Sequence, residues 1–392
     1  MSRRNATLIF TLLSLAVPSV AGLQEEATQI RSAVIVRADG SRLERGVLKF
    51  QDGKIVDLGA RVDPNLPILE HDGVLTAGLI ACQSMSGMGL EANDDTRSLL
   101  PEAELVYSFD PSHSDFDEAL AAGITTIVLP PNGRNVAGGL TAVVKTEGSV
   151  LSSAGHLALS FSEKAISFAA ARPQFFFAAA QAGGIEETGS SVQGTRSPTS
   201  YGGIVAELDR RFQVPGGSFQ LAIQGRLPCY LEAWERHEVL RALAFAERHG
   251  LKGVVRGAPL ASDPALVSAF KQSGFGCVVG PFTIGQSRSS LQSVARLAEA
   301  GVPLAFALDA PAQAPINLRF SAAMAIAAGA DPDTVAKALT IDAARIAGVE
   351  SRVGSLEPGK DADFCLWSGD PRNLTSRLQA VYVDGRLVHE SE

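Results

Sequence analysis

The chain has 392 residues, 46% hydrophobic and 19% charged, an ordinary globular composition with length enough for a sizeable core. A net charge of −8, with no Lys/Arg run of the kind that tracks phosphates, argues against nucleic acid as a partner. Four Cys with no CxxC pair give neither a disulfide framework nor a thiolate metal motif, so buried free thiols are expected.

The N-terminus reads Met1-Ser-Arg-Arg4, then an apolar run from Ala6 to Val17, then Ser19-x-Ala21. That order of basic, apolar and small residues predicts a secretory signal over residues 1–21, cut after Ala21. The apolar run is too short for a spanning helix. The expectation is an exported protein, periplasmic or extracellular, with no membrane association once the signal is removed. Arg3-Arg4 hints at twin-arginine export, but the apolar residue that should soon follow is missing.

Residues 28–76 read as β structure. Val34-Ile-Val36 and Val47-Leu-Lys-Phe50 are predicted strands, and Asp52-Gly53 marks a hairpin into Ile55-Val56. The middle alternates apolar strands with helices. Predicted strands cover 76–82, 124–129, 140–145, 157–161, 219–225 running into 228–232, 252–256, 276–279 and 303–308. Several are continuous apolar runs, as strands covered on both faces should be. A helix is predicted over 233–249 with Gly250 as its C-terminal stop, and another opens at Asp331-Pro332. Gly183 to Tyr201 is rich in Gly, Ser and Thr and reads as a long loop. Near the end, Asp363-Phe-Cys-Leu-Trp367 and Ala380-Val-Tyr-Val383 are strands, and Asp384-Gly385 turns into Leu387-Val388.

Neither end has enough strands for a core of its own. Residues 28–76 and 350–392 are therefore expected to form one small composite β-sandwich. About eight strands over roughly 270 residues, 77–349, fit a TIM-like (β/α)8 barrel in an α/β fold.

The tail Gly354-Ser-Leu-Glu-Pro-Gly-Lys-Asp-Ala-Asp363, with Val381-Tyr-Val-Asp-Gly385, resembles the closing signature of the metal-dependent amidohydrolases. Ala119-x₃-Gly-Ile-Thr-Thr-Ile-Val128, Asn317-x₃-Ser-Ala-Ala-Met-Ala-Ile-x₂-Gly329 and Arg196-Ser-Pro-Thr-Ser200 are similar to segments of the same superfamily, nearest its imidazolonepropionase-like branch. The likeness runs from about residue 33 to 388. It implies a hydrolase of non-peptide C–N bonds, in amides or cyclic amides. It also implies zinc or another divalent metal at the C-terminal mouth of the barrel.

At the site the resemblance breaks. Ala77-Gly-Leu-Ile-Ala-Cys-Gln-Ser-Met85 is similar to the signature Pro-Gly-Phe-Ile-Asp-x-His-x-His, but Gln83 and Met85 stand where its metal-binding histidines would be. By the same resemblance Glu232 and Arg256 fall where single histidines follow the fifth and sixth strands, and Lys145 is a candidate for the strand-end lysine. Asp309 alone matches its ligand position. In the superfamily the corresponding Asp binds metal and takes the proton of the attacking water.

Zinc needs three or four N, O or S donors. None of His71, His113, His156, His237, His249 and His389 forms a ligand-spaced pair, although His113 and His156 lie on loops expected near the mouth. No cofactor is therefore expected from the residues themselves. An acidic loop with Glu91, Asn93, Asp94 and Asp95 lacks EF-hand spacing and reads as solvated. Glu232 and Asp309 should both face the mouth. They stand either as an acid–base pair without metal or as carboxylates neutralised by Arg256, the reading preferred here. Two functions stay open: a metal-poor hydrolase acting through Asp309 and Glu232, or a catalytically silent barrel that binds a small-molecule ligand or a partner. The ligand is unknown, and a homo-oligomer stays open.

Overall fold

The computed structural model describes residues 28–88, 94, 97–167, 197–257 and 263–391. The predicted signal at 1–21, Glu91, Asn93 and Asp95 of the predicted acidic loop, Arg196 and most of the Gly183–Tyr201 loop lie outside them.

The chain begins with β1 (Thr28–Val36), β2 (Arg42–Gln51), β3 (Lys54–Gly59) and β4 (Ile68–Ala77). Asp52 and Gly53 have φ of 49° and 74°, the left-handed pair that a two-residue hairpin between Gln51 and Lys54 needs. At Gly78 the chain leaves β4 for β5 (Leu79–Ala81). A Cβ there would lie 2.1 Å from Thr125 Oγ1, so glycine lets the backbone pass against the Thr125 side chain.

The middle continues with α1 (Asp115–Leu120), β6 (Ile124–Leu129), β7 (Ala137–Leu140), β8 (Ala142–Lys145), β9 (Val150–Ser152), β10 (Leu157–Ser160) and α2 (Glu163–Ser167). Next come α3 (Tyr201–Gln213), α4 (Gly217–Ile223), β11 (Cys229–Glu232), α5 (Arg236–Arg248), β12 (Gly253–Arg256), α6 (Pro264–Ser273), β13 (Gly276–Val279), α7 (Arg288–Glu299) and β14 (Leu304–Phe306). Then follow α8 (Asn317–Ala327), α9 (Pro332–Ala338) and α10 (Ile341–Ala347). Helix α5 stops ahead of Gly250 at φ 65°, and Asp331 caps α9 by accepting from the Thr334 backbone N–H. The chain ends with β15 (Phe364–Trp367), β16 (Leu378–Val383) and β17 (Arg386–Glu390).

Strands from both ends join in a seven-stranded sheet of order β17-β16-β15-β4-β1-β2-β3. Ile30, Leu48, Phe50, Leu75 and Phe364 pack its core.

The strands expected as one ring of parallel strands form two sheets instead: β14-β13-β12-β11-β10-β7 and β5-β6-β8-β9. Strands β10 to β14 are parallel to one another, but β7 and β8 run antiparallel to β10 and β6. Residues 130–136 lead from β6 to β7 with no helix between, and β8 then returns antiparallel on β6, as neighbouring strands joined without a helical crossover do. The edges of the two sheets meet through backbone bonds: Cys82 N–H to Phe306 O at 2.9 Å and Leu308 N–H to Gln83 O at 2.9 Å. Both sheets face one apolar interior holding Ile80, Val128, Val143, Ala158, Val254 and Val278. Ala343, Ala344 and Ala347 of α10 pack into it.

The apolar run 219–225 is another difference. It lies mostly in α4, where Phe219 and Ala222, three residues apart, are the buried positions. A short apolar run carries no period that separates strand from helix.

Candidate functional site

Gln83 follows β5, Glu232 and Arg256 end β11 and β12, and Asp309 follows β14. Side chains alternate along a strand. Leu231 therefore faces the outer core while Tyr230 joins the interior. Glu232 and Arg256 are register partners across β11 and β12.

Gln83 is the hub. Its Nε2 donates to Asp309 Oδ1, while its Oε1 accepts from Tyr230 Oη at 2.6 Å and from Arg256 Nε. Two donors on one side and an acid on the other leave a single favourable amide orientation. Arg256 Nη1 donates to the Gly280 carbonyl at 2.9 Å, and Nη2 to Asp309 Oδ2 at 2.7 Å. The guanidinium is wholly buried, whereas the Asp309 side chain is 29% exposed. Trp234 lies against the guanidinium, 4.4 Å from its ring centroid. Burial pushes the Tyr230 phenol well above its ordinary pKa and keeps it a donor. Asp309 sits at φ 59°, a left-handed conformation that Asp tolerates better than most residues.

Glu232 is not part of this network. Its Oε1 accepts from Trp234 Nε1 at 2.9 Å and pairs with Lys164 Nζ at 2.8 Å. Each mouth carboxylate thus has its own cation, and Arg256 takes Asp309 rather than Glu232. Tyr230, Trp234 and Lys164 are site residues that sequence reasoning missed. The period-2 spacing of Tyr230 from Glu232 was a usable signal for the first. Lys164 reaches the site from α2, and nothing local marks it.

Met85 is half-buried, its backbone N–H bonded to the Ala310 carbonyl at 2.7 Å. Lys145 lies elsewhere. Because β8 runs antiparallel to β6, its end pairs with Thr126 near the start of β6. There the ammonium meets Asp361 at 2.8 Å, Asp363 at 3.0 Å and Asp384 at 2.6 Å. Burial opposes its charge, but the three carboxylates outweigh that and raise its pKa. His156 also lies away from the mouth: it is buried, with Nε2 2.8 Å from the Ile346 carbonyl, and burial lowers its pKa to about 4. His113 pairs with Asp115.

The mouth residues do not fit a divalent ion. The Gln83 carbonyl is turned to two donors, and a guanidinium stands against Asp309 where a second ligand would have to be. Among the described residues no three His, Cys, Asp or Glu side chains converge as metal ligands. Asp309 borders a cavity of about 290 Å³ beyond the ends of β12 to β14, walled by Trp234, Pro281 and Phe282.

The Amidohydrolase family signature matches residues 221–388. An imidazolonepropionase of Shewanella baltica (strain OS185) is 34% identical over 160 residues, 38% of this chain and 38% of that protein. One from Shewanella sp. (strain W3-18-1) is 33% identical over the same length and shares. The match thus spans under half the length of these curated relatives. An amidohydrolase from Thermotoga maritima MSB8 superposes with a TM-score of 0.80 at 22% identity, covering 93% of this chain and 100% of that one. The A. niger ochratoxinase gives a TM-score of 0.56 at 15% identity over 93% and 96% of the two chains. At such identities these structures speak for the fold alone. The family signature over 221–388 and the imidazolonepropionase relatives support the amidohydrolase superfamily for this chain, and the solved structures share its fold.

Proposed function

We propose that this chain is an exported, metal-independent binding protein built on a hydrolase scaffold. By lineage it descends from hydrolases of non-peptide C–N bonds, and imidazolonepropionase names its curated relatives. In this reading the two sheets are arcs of one barrel of the (β/α)8 type, 77–349, with β7 and β8 as a reversed strand. Residues 28–76 and 350–392 are the composite β-domain. The edge bonds at Cys82 and Leu308 and the common apolar interior support that reading.

One observation carries the functional part: Arg256 Nη2 lies 2.7 Å from Asp309 Oδ2, with the guanidinium wholly buried. A permanent cation there occupies one oxygen of the one carboxylate that matches a ligand position and stands where the further anionic or imidazole donors a divalent ion needs are lacking. Asp309 is paired with Arg256 and Glu232 with Lys164, so each mouth carboxylate is held by a cation rather than left poised as a general base for water. The signal pattern at 1–21 supports export, and among the described residues no helix is long and apolar enough to cross a membrane.

Elemental analysis of protein purified without chelators tests the reading. Less than a tenth of an equivalent of zinc, iron or manganese per chain is expected. Near-stoichiometric metal, lost together with amidase activity in Asp309→Ala, would overturn it.

A further inference from the structure

The Asp309 carboxylate faces two ways. Behind it stand Gln83 and Arg256, one on each oxygen. In front lies the cavity of about 290 Å³. A carboxylate offers about four lone-pair sites, so roughly two are left for a ligand. Among the described residues, Asp309 is the one ionisable side chain that borders this cavity. Arg256, with no exposed surface, does not reach it. The ion pair therefore turns its negative end toward the ligand space.

The other walls fix the shape of an occupant. Phe282 and Pro281 supply an apolar side. Trp234 also lines the space, but its ring is already engaged by Arg256 at 4.4 Å and Lys164 at 4.9 Å. An apolar ligand body accordingly belongs against Phe282 and Pro281. Gln313 also lines the space; its Oε1 accepts from Asn317 Nδ2 at 2.7 Å, which leaves its amide N–H groups as its donors. The volume is at the small end of ligand sites, with room for about one ring and a short polar group.

We propose that this cavity takes a small organic cation, whose N–H groups donate to Asp309 and whose flat apolar body lies on Phe282 and Pro281. A neutral amide makes the same hydrogen bonds without the charge, and hydrogen bonds between ions are about twice as strong. An organic anion meets a carboxylate, and among the described residues lining the cavity there is no cation to compensate; Lys164, behind Trp234, is paired with Glu232. The inference rests on the metal-independent reading, because a metal on Asp309 would take the lone pairs assigned to the ligand.

Benzamidine, benzamide and benzoate share a ring and differ in charge, so they are the probes. Each is titrated calorimetrically into the full exported chain, its metal content measured on the same sample. The expected result is benzamidine binding at least tenfold tighter than benzamide, with no benzoate binding. Asp309→Asn keeps the shape and tolerates the backbone conformation, and should reduce benzamidine to the level of benzamide. Should that variant fail to fold, salt serves instead: 0.5 M NaCl should weaken benzamidine several-fold and leave benzamide unchanged. Benzoate binding as well as benzamidine, an unchanged preference in Asp309→Asn, equal salt response, or no binding of any probe to metal-free protein would each overturn the proposal. Stoichiometric metal would instead overturn the reading beneath it.

Discussion

Arg256→Met removes the charge and keeps most of the side-chain volume, so its cost reports what the guanidinium does. Three partners lose a donor: Asp309, Gln83 and the Gly280 carbonyl. Breaking a buried pair by deleting one partner typically costs about 3–5 kcal/mol. Here the discount is clear, because the Asp309 side chain is 29% exposed and water can solvate its carboxylate. Gln83 keeps Tyr230 as a donor, so its loss is small. The Gly280 carbonyl has no such substitute among the described residues, and an orphaned acceptor costs about 1–3 kcal/mol. The sum expected is about 3 kcal/mol. Adding Asp309→Asn removes the stranded charge and should return about half of it, since neutral replacement of both partners of a buried pair is often close to neutral. The assay is urea unfolding followed by circular dichroism, compared at constant slope. A cost under about 1 kcal/mol for Arg256→Met, or a double variant as unstable as the sum of the singles, would refute the view that Arg256 holds the site together by charge.

Burial raises the Asp363 pKa to about 6, against the pull of Lys145. A carboxyl raised on folding binds its proton more readily in the folded chain, so its share of stability grows as pH falls from 7 through 6 toward the ordinary carboxylate value. Relative to Asp363→Asn, the unaltered protein should gain on the order of 2–3 kcal/mol between pH 7 and pH 4, measured by urea midpoints; a flat difference would disprove it. Asp370 runs the other way: burial opposes its ionisation, but Arg372 and Arg42 hold it at about 2, so its contribution is present above the ordinary value and is lost as pH falls toward 2. Asp370→Asn should therefore flatten the acid limb of the stability curve below about pH 4. Gly78→Ala should destabilise by about 3 kcal/mol or prevent folding, and Thr125→Ala in the same chain should recover only part of the loss in urea midpoint, because the added methyl meets Thr125 Oγ1 at 2.1 Å and Cγ2 at 2.4 Å but also Cβ at 2.7 Å, which alanine keeps. All four cysteines are buried and free, and burial pushes the Cys229 thiol up to about 12. A thiol reagent should label none of them in the folded protein and all of them in guanidinium chloride; rapid labelling without denaturant would contradict that packing.

What could be read from the sequence was local or carried by motif. Asp52-Gly53 and Asp384-Gly385 name their own turns, since few other residue pairs accept two left-handed positions in a row. Asp331-Pro332 and Gly250 likewise set helix ends by backbone geometry alone. The tail from Gly354 to Asp363 pointed to the superfamily, and by the same resemblance Gln83 and Met85 fall where its signature carries histidines, a comparison that needs no coordinates. Tertiary structure decided the rest. The run 219–225 became helix because burial at Phe219 and Ala222 chose the period. A return from β6 with no crossover helix reversed β7 and β8, and that reversal carried Lys145 away from the mouth to three aspartates in the C-terminal part of the chain. Gln83, Tyr230, Arg256 and Asp309 sit on four strand ends that sequence distance keeps apart and sheet register brings within hydrogen-bond reach. Whether an arginine among them faces solvent or grips an acid depends on what packs around it, and no neighbour along the chain records that.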